Sequence, residues 1–515
     1  MQYKNPILRG MRPDPSIVRV DKYYYMVNST FEYYPGITLA RSTDLLNWKT
    51  LPSVATKHSQ ADLTRSKSNE GIFAVCIRYH NDKFYVITTN FVEFKTFIIT
   101  GSLNSDGKIV WDDQRININV NGIDPDIFFD GDHTYVQYTG YLENGQKALQ
   151  QVEIELTSGR ILDGPKILTY GTGGRDVEGP HIIKKSNYYY LLAAEGGTGL
   201  GHMITIFRSK NIWGPFEECP DNPIFSNRDR ADEAIQNIGH GDLFQDESKN
   251  WWLVCLGTRP ININFKTFTN TGRETMLYPV DWSSDWPIIN NGLPSDTVDM
   301  TKFPEHAKTL QNQKFTDFTD FFKKGNLNPE WVSLRNSLAD RLKIEPNNLT
   351  LTGSDLTLSD IDTPSFLGLR QTEPDETFTV DVNADNCNLT TGQIGVAVTI
   401  DSTHFASLTI KKNENGHFDL IKTIHVFDLV VEEKVAEITE FPKQFSIINH
   451  PSNKEFLVQT ADNDSLGFKV AAMHFSNEAI SALNTGDMLG IYALGNDSKI
   501  SIKKAHRFLI NKEEN

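Results

Sequence analysis

The stretch DPSIVRVDKYYYMV, residues 14–27, places an aliphatic side chain (Ile17) eight positions before an aromatic one (Tyr25), with the turn former Asp21 between them. The same frame returns four times, in AVCIRYHNDKFYVI from Ala74, DPDIFFDGDHTYVQ from Asp124, EGPHIIKKSNYYYLL from Glu178 and HGDLFQDESKNWWLV from His240. Ile77, Ile127, Ile182 and Leu243 stand eight positions before Tyr85, Tyr135, Tyr190 and Trp251, and Asn81, Gly131, Ser186 and Glu247–Ser248 supply the polar breaks. Two apolar runs around a short polar turn predict a β-hairpin. Its recurrence every 50 to 61 residues predicts a five-bladed β-propeller of four-stranded blades over 1–300. Equivalent blade positions converge on the central channel of such a fold. The leading residues Asp14, Asp124, Glu178 and His240 are therefore expected to meet, although they are far apart in sequence.

Around Pro287–Pro304 the composition shifts, and 301–315 reads as a connector. From Leu342 onward short alternating strands resume, in KIEPNNLTLTG, ETFTVDVNAD, GQIGVAVTID and HFASLTIKK. Many such strands without intervening helices predict a jelly-roll-like β-sandwich over 316–515. The fold class is all-β, a five-bladed β-propeller followed by a C-terminal β-sandwich.

A net charge of -16 and a pI near 5.3 argue against nucleic acid or an anionic membrane as partner. Cys76, Cys219, Cys255 and Cys387 show no CxxC spacing and read as reduced structural thiols, which suits the cytoplasm. The N-terminal MQYKNPILRGMRPDPS has no apolar core of a signal peptide, and no apolar run reaches the ~18 residues of a membrane span. The expectation is a cytoplasmic protein that meets its substrate as an imported small molecule.

Glycoside hydrolysis needs one carboxylic acid to protonate the leaving oxygen and one carboxylate on the opposite face. Carboxyls roughly 6.5–9.5 Å apart leave room for a water between base and anomeric carbon, and the configuration inverts. A third acid nearby holds the donor protonated by like-charge repulsion. Asp14, Asp124 and Glu178 supply three. Asp-Pro is also a common turn starter, but two copies at one repeat position, with Glu178 one place earlier in a third, favour chemistry. Asp126 rivals Asp124, yet the frame puts it at the position of Ser16, leaning away from the leading site. No DxDxDG-type calcium loop is present. His240, at the leading position of the fifth repeat, is placed to orient an acid or a water, or to ligate a metal.

RPDPSIVRV, STFEYYPGITLARSTDLLNW, GIDPDIFFD, DVEGPHIIKK, IGHGDLF and TGRETMLYPVDW together resemble glycoside hydrolase family 43, in the group of two-domain β-xylosidases and α-L-arabinofuranosidases. NLNPEWVSLRN through TPSFLGLRQ resembles the sandwich appended in that group. The resemblance implies Asp14 as general base, Glu178 as general acid, and Asp124 as the residue that raises the Glu178 pKa and orients it. It implies Arg273 reaching sugar hydroxyls and the acids, and Phe31 and Phe73 in the pocket wall. His240 would line the channel floor, where related enzymes hold a water-coordinated calcium; no cofactor is otherwise required. Where the group often has Trp-Ala-Pro, this chain has Phe73–Ala74–Val75, which reshapes the wall. Phe508 in AHRFLI is the candidate for a sandwich residue that reaches the pocket.

A sandwich that seals one end of the funnel leaves a pocket, and a pocket accepts only a chain end. The expectation is an inverting exo-glycosidase releasing terminal α-L-arabinofuranosyl residues from arabino- or arabinoxylo-oligosaccharides. The alternative is β-D-xylosidase or a bifunctional enzyme, and the remote alternative a non-catalytic sugar-binding propeller. The partners expected are pentose-containing oligosaccharides and further copies of the chain in a homo-oligomer.

Overall fold

The computed structural model describes residues 1–315, 317–323, 325–480 and 484–510. Residue 316, at which the sequence reading begins the sandwich, lies outside them.

The five repeats fold as five antiparallel meanders. They begin with the strands Ser16–Val20, Ile72–His80, Gly122–Asp130, Glu178–Lys185 and Gln236–Gln245, each paired to the strand that follows it. Four of the hairpins close over two residues, 21–22, 81–82, 131–132 and 186–187. Asp21, Asn81, Gly131 and Ser186 there take positive φ, the backbone that matches the right-handed strand twist. Each first strand touches the first strand of the next sheet, and that of the fifth touches that of the first.

The repeat frame explains why the sheets stack. Ile77 and Tyr25 are buried in one core between the first and second sheets, Ile127 and Tyr85 between the second and third, and Ile182 and Tyr135 between the third and fourth. Ile17, Tyr190 and Leu243 share a further core that joins the fourth, fifth and first. Both faces of each sheet are thus covered, and apolar burial on this scale is the main driving force.

The second half is a pair of antiparallel sheets of eight and six strands around a single core that includes Leu349, Phe378, Val396, Leu408, Phe456 and Ile491. The two halves are bound by strand pairing and by shared apolar contacts. Tyr33–Tyr34 pairs with Ser333–Leu334, and Phe31, Tyr33, Val332, Phe366 and Met488 form one buried cluster across the junction. The segment from Pro287 onward holds more structure than its composition suggested. Thr297–Asp299 pairs with Gln2–Lys4 near the N-terminus, and Pro304–Ala307 is a single helical turn.

Candidate active site

Asp14, Asp124, Gly179 and His240 all take left-handed φ, at 50°, 52°, 58° and 43°. They occupy one position of the repeat, three residues before Ile17, Ile127, Ile182 and Leu243. In the third, fourth and fifth sheets that position falls in a β-bulge, a device that re-aims a side chain out of the ladder. Glycine takes it in the fourth repeat, and the carboxylate moves one place earlier, to Glu178. The exchange has a steric reason, since a Cβ at Gly179 would stand 2.9 Å from Cε1 of His240.

The three carboxyls converge. Asp14 and Asp124 are 3% and 7% exposed, and Glu178 is half-buried with 16% of its side chain exposed. Asp124 feels the charges of Glu178 and Asp14, and Glu178 feels that of Asp14. Their environments separate them. Burial pushes the Asp14 carboxyl up, but the Arg273 guanidinium, His240 and a hydrogen bond from Ser29 outweigh it and hold it below the usual range. Burial pushes Glu178 up to about 7; Asp14 and Asp176 add to the rise, while Lys147 and Arg273 oppose it. Asp124 is raised well above the carboxylate range by burial, then by Glu178 and Asp14. Asp124 and Glu178 titrate as a pair, and the pair holds a proton at neutral pH while Asp14 is ionised. Two carboxyls pushed apart in this way can serve as base and acid in one reaction.

Arg273, 4% exposed, spans the site. Its Nη1 donates to Asp14 Oδ1 (3.2 Å) and Thr198 Oγ1 (3.0 Å), and its Nη2 to the Asn484 carbonyl (3.4 Å). The guanidinium lies 5.4 Å from the centre of the Phe31 ring. Phe31 in turn meets Phe73 at 5.5 Å, and Phe73 stacks on Phe91 at 4.5 Å. Phe31 and Phe73 therefore belong to one aromatic wall beside the arginine.

Asn484 belongs to the second domain. Its Nδ2 donates to the carbonyl of Asn69 (3.2 Å), and Thr485 Oγ1 donates to Asn69 Oδ1 (3.3 Å). The segment crosses the first domain closely, for a Cβ at Gly272 would lie 2.9 Å from the Thr485 carbonyl oxygen. Phe508 lies elsewhere. It stacks on His506 within the strand Lys499–Leu509 and lines a cleft with Trp48, Glu330 and Glu373 that contains none of the three carboxyls. An aromatic near the C-terminus was the wrong signal, because that strand runs through the interior of the eight-stranded sheet.

Two places further along the frame lie Ser16, Cys76, Asp126, His181 and Asp242, all buried. Arg78 sits among them, 2.8 Å from Asp126 Oδ1 and 2.7 Å from Asp242 Oδ2. Its Nη2 is 3.1 Å from His181 Nδ1. His240 Nδ1 stands 3.8 Å from Asp14 Oδ1. Burial, then the neighbouring His181 and Arg273, depress His240 to about 4, so the imidazole is neutral at pH 7. The two carboxylates facing it, Asp14 and Asp242, are already paired with Arg273 and Arg78. Calcium prefers six to eight oxygen ligands, so these side chains alone do not supply its shell; a calcium beside His240 would take most of its ligands from water. The described donor cluster with metal-ligand spacing is Cys76, Asp126 and His181, where Arg78 already supplies the cation.

Sequence reasoning missed Ser29, Lys147, Thr198, His202 and Asn484. Thr198 and His202 lie in the glycine-rich run EGGTGLGH, whose glycines signal a close backbone approach but not which polar side chain points inward. Lys147, held by Asp176 at 2.9 Å, gave no sequence signal.

Residues 3–287 match the family model described as Glycosyl hydrolases family 43, and residues 319–506 match that of the Beta xylosidase C-terminal Concanavalin A-like domain. The chain is similar to the Non-reducing end alpha-L-arabinofuranosidase BoGH43B of Bacteroides ovatus, with 32% identity over 523 residues spanning 96% of this chain and 92% of that protein. It is similar also to a Beta-xylosidase of Bacillus subtilis, with 30% identity over 72% of each chain. Among solved structures, Bacteroides ovatus Xyloglucan PUL GH43B superposes with a TM-score of 0.87 at 30% identity, covering 99% of this chain and 100% of that one. A xylan beta-1,4-xylosidase from Bacillus halodurans C-125 superposes with a TM-score of 0.86 at 25% identity, covering 98% and 99%.

Proposed function

The chain belongs to glycosyl hydrolase family 43 and is a glycosidase, and on that premise we propose that it removes terminal α-L-arabinofuranosyl residues from arabino- or arabinoxylo-oligosaccharides with inversion. The observation that carries this reading is the opposed ionisation of Asp14 and Glu178 within one buried cluster. Asp14, ionised and held by Arg273 and Ser29, takes a proton from the attacking water. Glu178, protonated up to about neutral pH, gives its proton to the leaving oxygen. Asp124 keeps that proton on the pair by charge repulsion. Arg273 and the Phe31–Phe73 wall seat the sugar.

The five sheets act in this reading as the blades of a closed propeller, supported by the cyclic contact of their first strands. The sandwich segment that crosses Gly272 beside Arg273 walls off one side of the site, which favours a pocket and exo action. Four free cysteines suit a reducing compartment such as the cytoplasm.

Arabinofuranoside is preferred because the relative aligned over 96% of the chain carries that activity in its name and because Phe73 replaces a larger ring in the wall. A β-D-xylosidase reading draws on the xylosidase of Bacillus subtilis. Turnover of 4-nitrophenyl α-L-arabinofuranoside against β-D-xylopyranoside separates them. A higher kcat/KM on the xyloside would reverse the assignment, and no turnover on either would exclude both pentosides as its substrates.

A further inference from the structure

His202 is 1% exposed, and its ring packs flat against the chain where a Cβ at Gly239 would stand 2.1 Å from its Cε1. Its Nδ1 lies 3.0 Å from the carbonyl oxygen of Asn237. A carbonyl only accepts, so Nδ1 carries the ring proton and Nε2 presents a lone pair. Nε2 is buried and has no hydrogen-bond partner. It faces Glu178, with Oε1 at 3.9 Å. Protein atoms enclose that nitrogen on all sides. The carboxyl of Glu178 is the group positioned to satisfy it, and only in its protonated form, because two acceptors facing one another repel.

We propose that His202 is a positioning residue for Glu178, its Nε2 accepting a hydrogen bond from the protonated Glu178 carboxyl and thereby holding the acid charged with its proton between turnovers. Closing the pair from 3.9 Å to a hydrogen bond of about 2.7–3.0 Å takes a side-chain adjustment under ~1.5 Å. The imidazole does not take the proton for itself. Burial, with His240 and Arg273 nearby, depresses it to about 3, so the proton stays on Glu178 and passes to the leaving oxygen when substrate arrives. A hydrogen bond to the neutral form raises an acid's pKa. His202 thus works in the same direction as burial, Asp14 and Asp176, and against Lys147 and Arg273.

The functional consequence rests on the reading of Glu178 as general acid; the hydrogen bond does not. The test therefore begins with the carboxyl itself, in protein labelled with ¹³C at glutamate Cδ, the Glu178 signal being the one lost in Glu178→Gln. His202→Asn retains a donor for the Asn237 carbonyl and removes the acceptor; His202→Gln returns an acceptor oxygen near the place of Nε2. The Glu178 pKa should fall by about half a unit or more in His202→Asn and recover in His202→Gln. On an arabino-oligosaccharide the alkaline limb of kcat/KM should follow the same shift, with a loss about tenfold greater than on a dinitrophenyl arabinofuranoside. Should His202→Asn fail to fold, the ¹⁵N shift of Nε2 in the unaltered enzyme should move with the Glu178 titration. An unchanged Glu178 pKa in His202→Asn, or an Nε2 shift blind to that titration, overturns the proposal. A moved pKa with an unmoved alkaline limb keeps the hydrogen bond and instead removes Glu178 as the acid.

Discussion

Nη1 of Arg273 stands 3.2 Å from Oδ1 of Asp14, and this contact joins the fifth sheet to the leading residue of the first. It also sets the charge of Asp14, since the guanidinium is the strongest of the groups that hold the carboxyl down against its burial. Because the base must be ionised, the acid limb of kcat/KM should report the Asp14 pKa. Replacing Arg273 by glutamine removes the cation, so the Asp14 pKa rises and the acid limb moves to higher pH. The rate at the optimum should fall on the order of 10²-fold, since the fork that orients the site is lost. A pH–rate profile with an unmoved acid limb would detach Arg273 from Asp14.

Glu178→Ala should discriminate between leaving groups. A dinitrophenolate leaves with little protonation, whereas a sugar alkoxide needs the proton, and general acid catalysis supplies about 10²–10⁴-fold. Loss on an arabino-oligosaccharide should therefore exceed loss on a dinitrophenyl glycoside by a large factor. Equal losses would mean that Glu178 does not act as the acid.

Asp124→Asn removes a carboxyl from the pair while keeping its shape. Burial remains the chief cause of the raised Glu178 pKa, but the partner that titrates with it is gone, so the pKa falls. The alkaline limb should move to lower pH. An unmoved limb with near-normal activity would exclude Asp124 from the acid pair.

Much of this was legible because it is periodic. Ile17, Ile77, Ile127, Ile182 and Leu243 are buried between sheets, and a strict alternation with two-residue turns has few other solutions. The same frame located the left-handed positions 14, 124 and 240. Glu178 was legible as a displaced acid, but the reason for its displacement, the His240 ring over Gly179, is a packing fact. Pairing of Thr297–Asp299 with Gln2–Lys4 was hidden, because three-residue strands carry no alternation to read. Asn484 was hidden for a different reason. It reaches Arg273 across the junction of two domains, where neither repeat nor motif relates the partners. Arg78 occupies the frame four places after Ala74 but resembles any strand arginine until Asp126 and Asp242 are seen around it.

Glu32, beside the pocket-wall residue Phe31, gives a stability test independent of chemistry. It is fully buried, receives the Asn69 amide at 3.0 Å, and is raised from 4.5 to about 8 chiefly by burial. Between those values the folded state binds a proton that the unfolded state has released, so stability falls as pH rises across that window. Glu32→Gln removes this dependence. Relative to the unaltered protein, the variant should gain on the order of 1–3 kcal/mol between pH 5 and pH 8 in urea unfolding. Parallel stability curves for the two proteins would show that Glu32 is ionised in the folded state.

The central claim is a water held between Asp14 and Glu178, and the anomeric configuration of the first-formed sugar tests it most directly. Proton NMR of the early reaction, before mutarotation mixes the anomers, should show the pentose with configuration opposite to that of the substrate, and added methanol should yield no methyl glycoside. Retained configuration together with a methyl glycoside would require a nucleophilic carboxylate and a covalent intermediate, and would contradict the account.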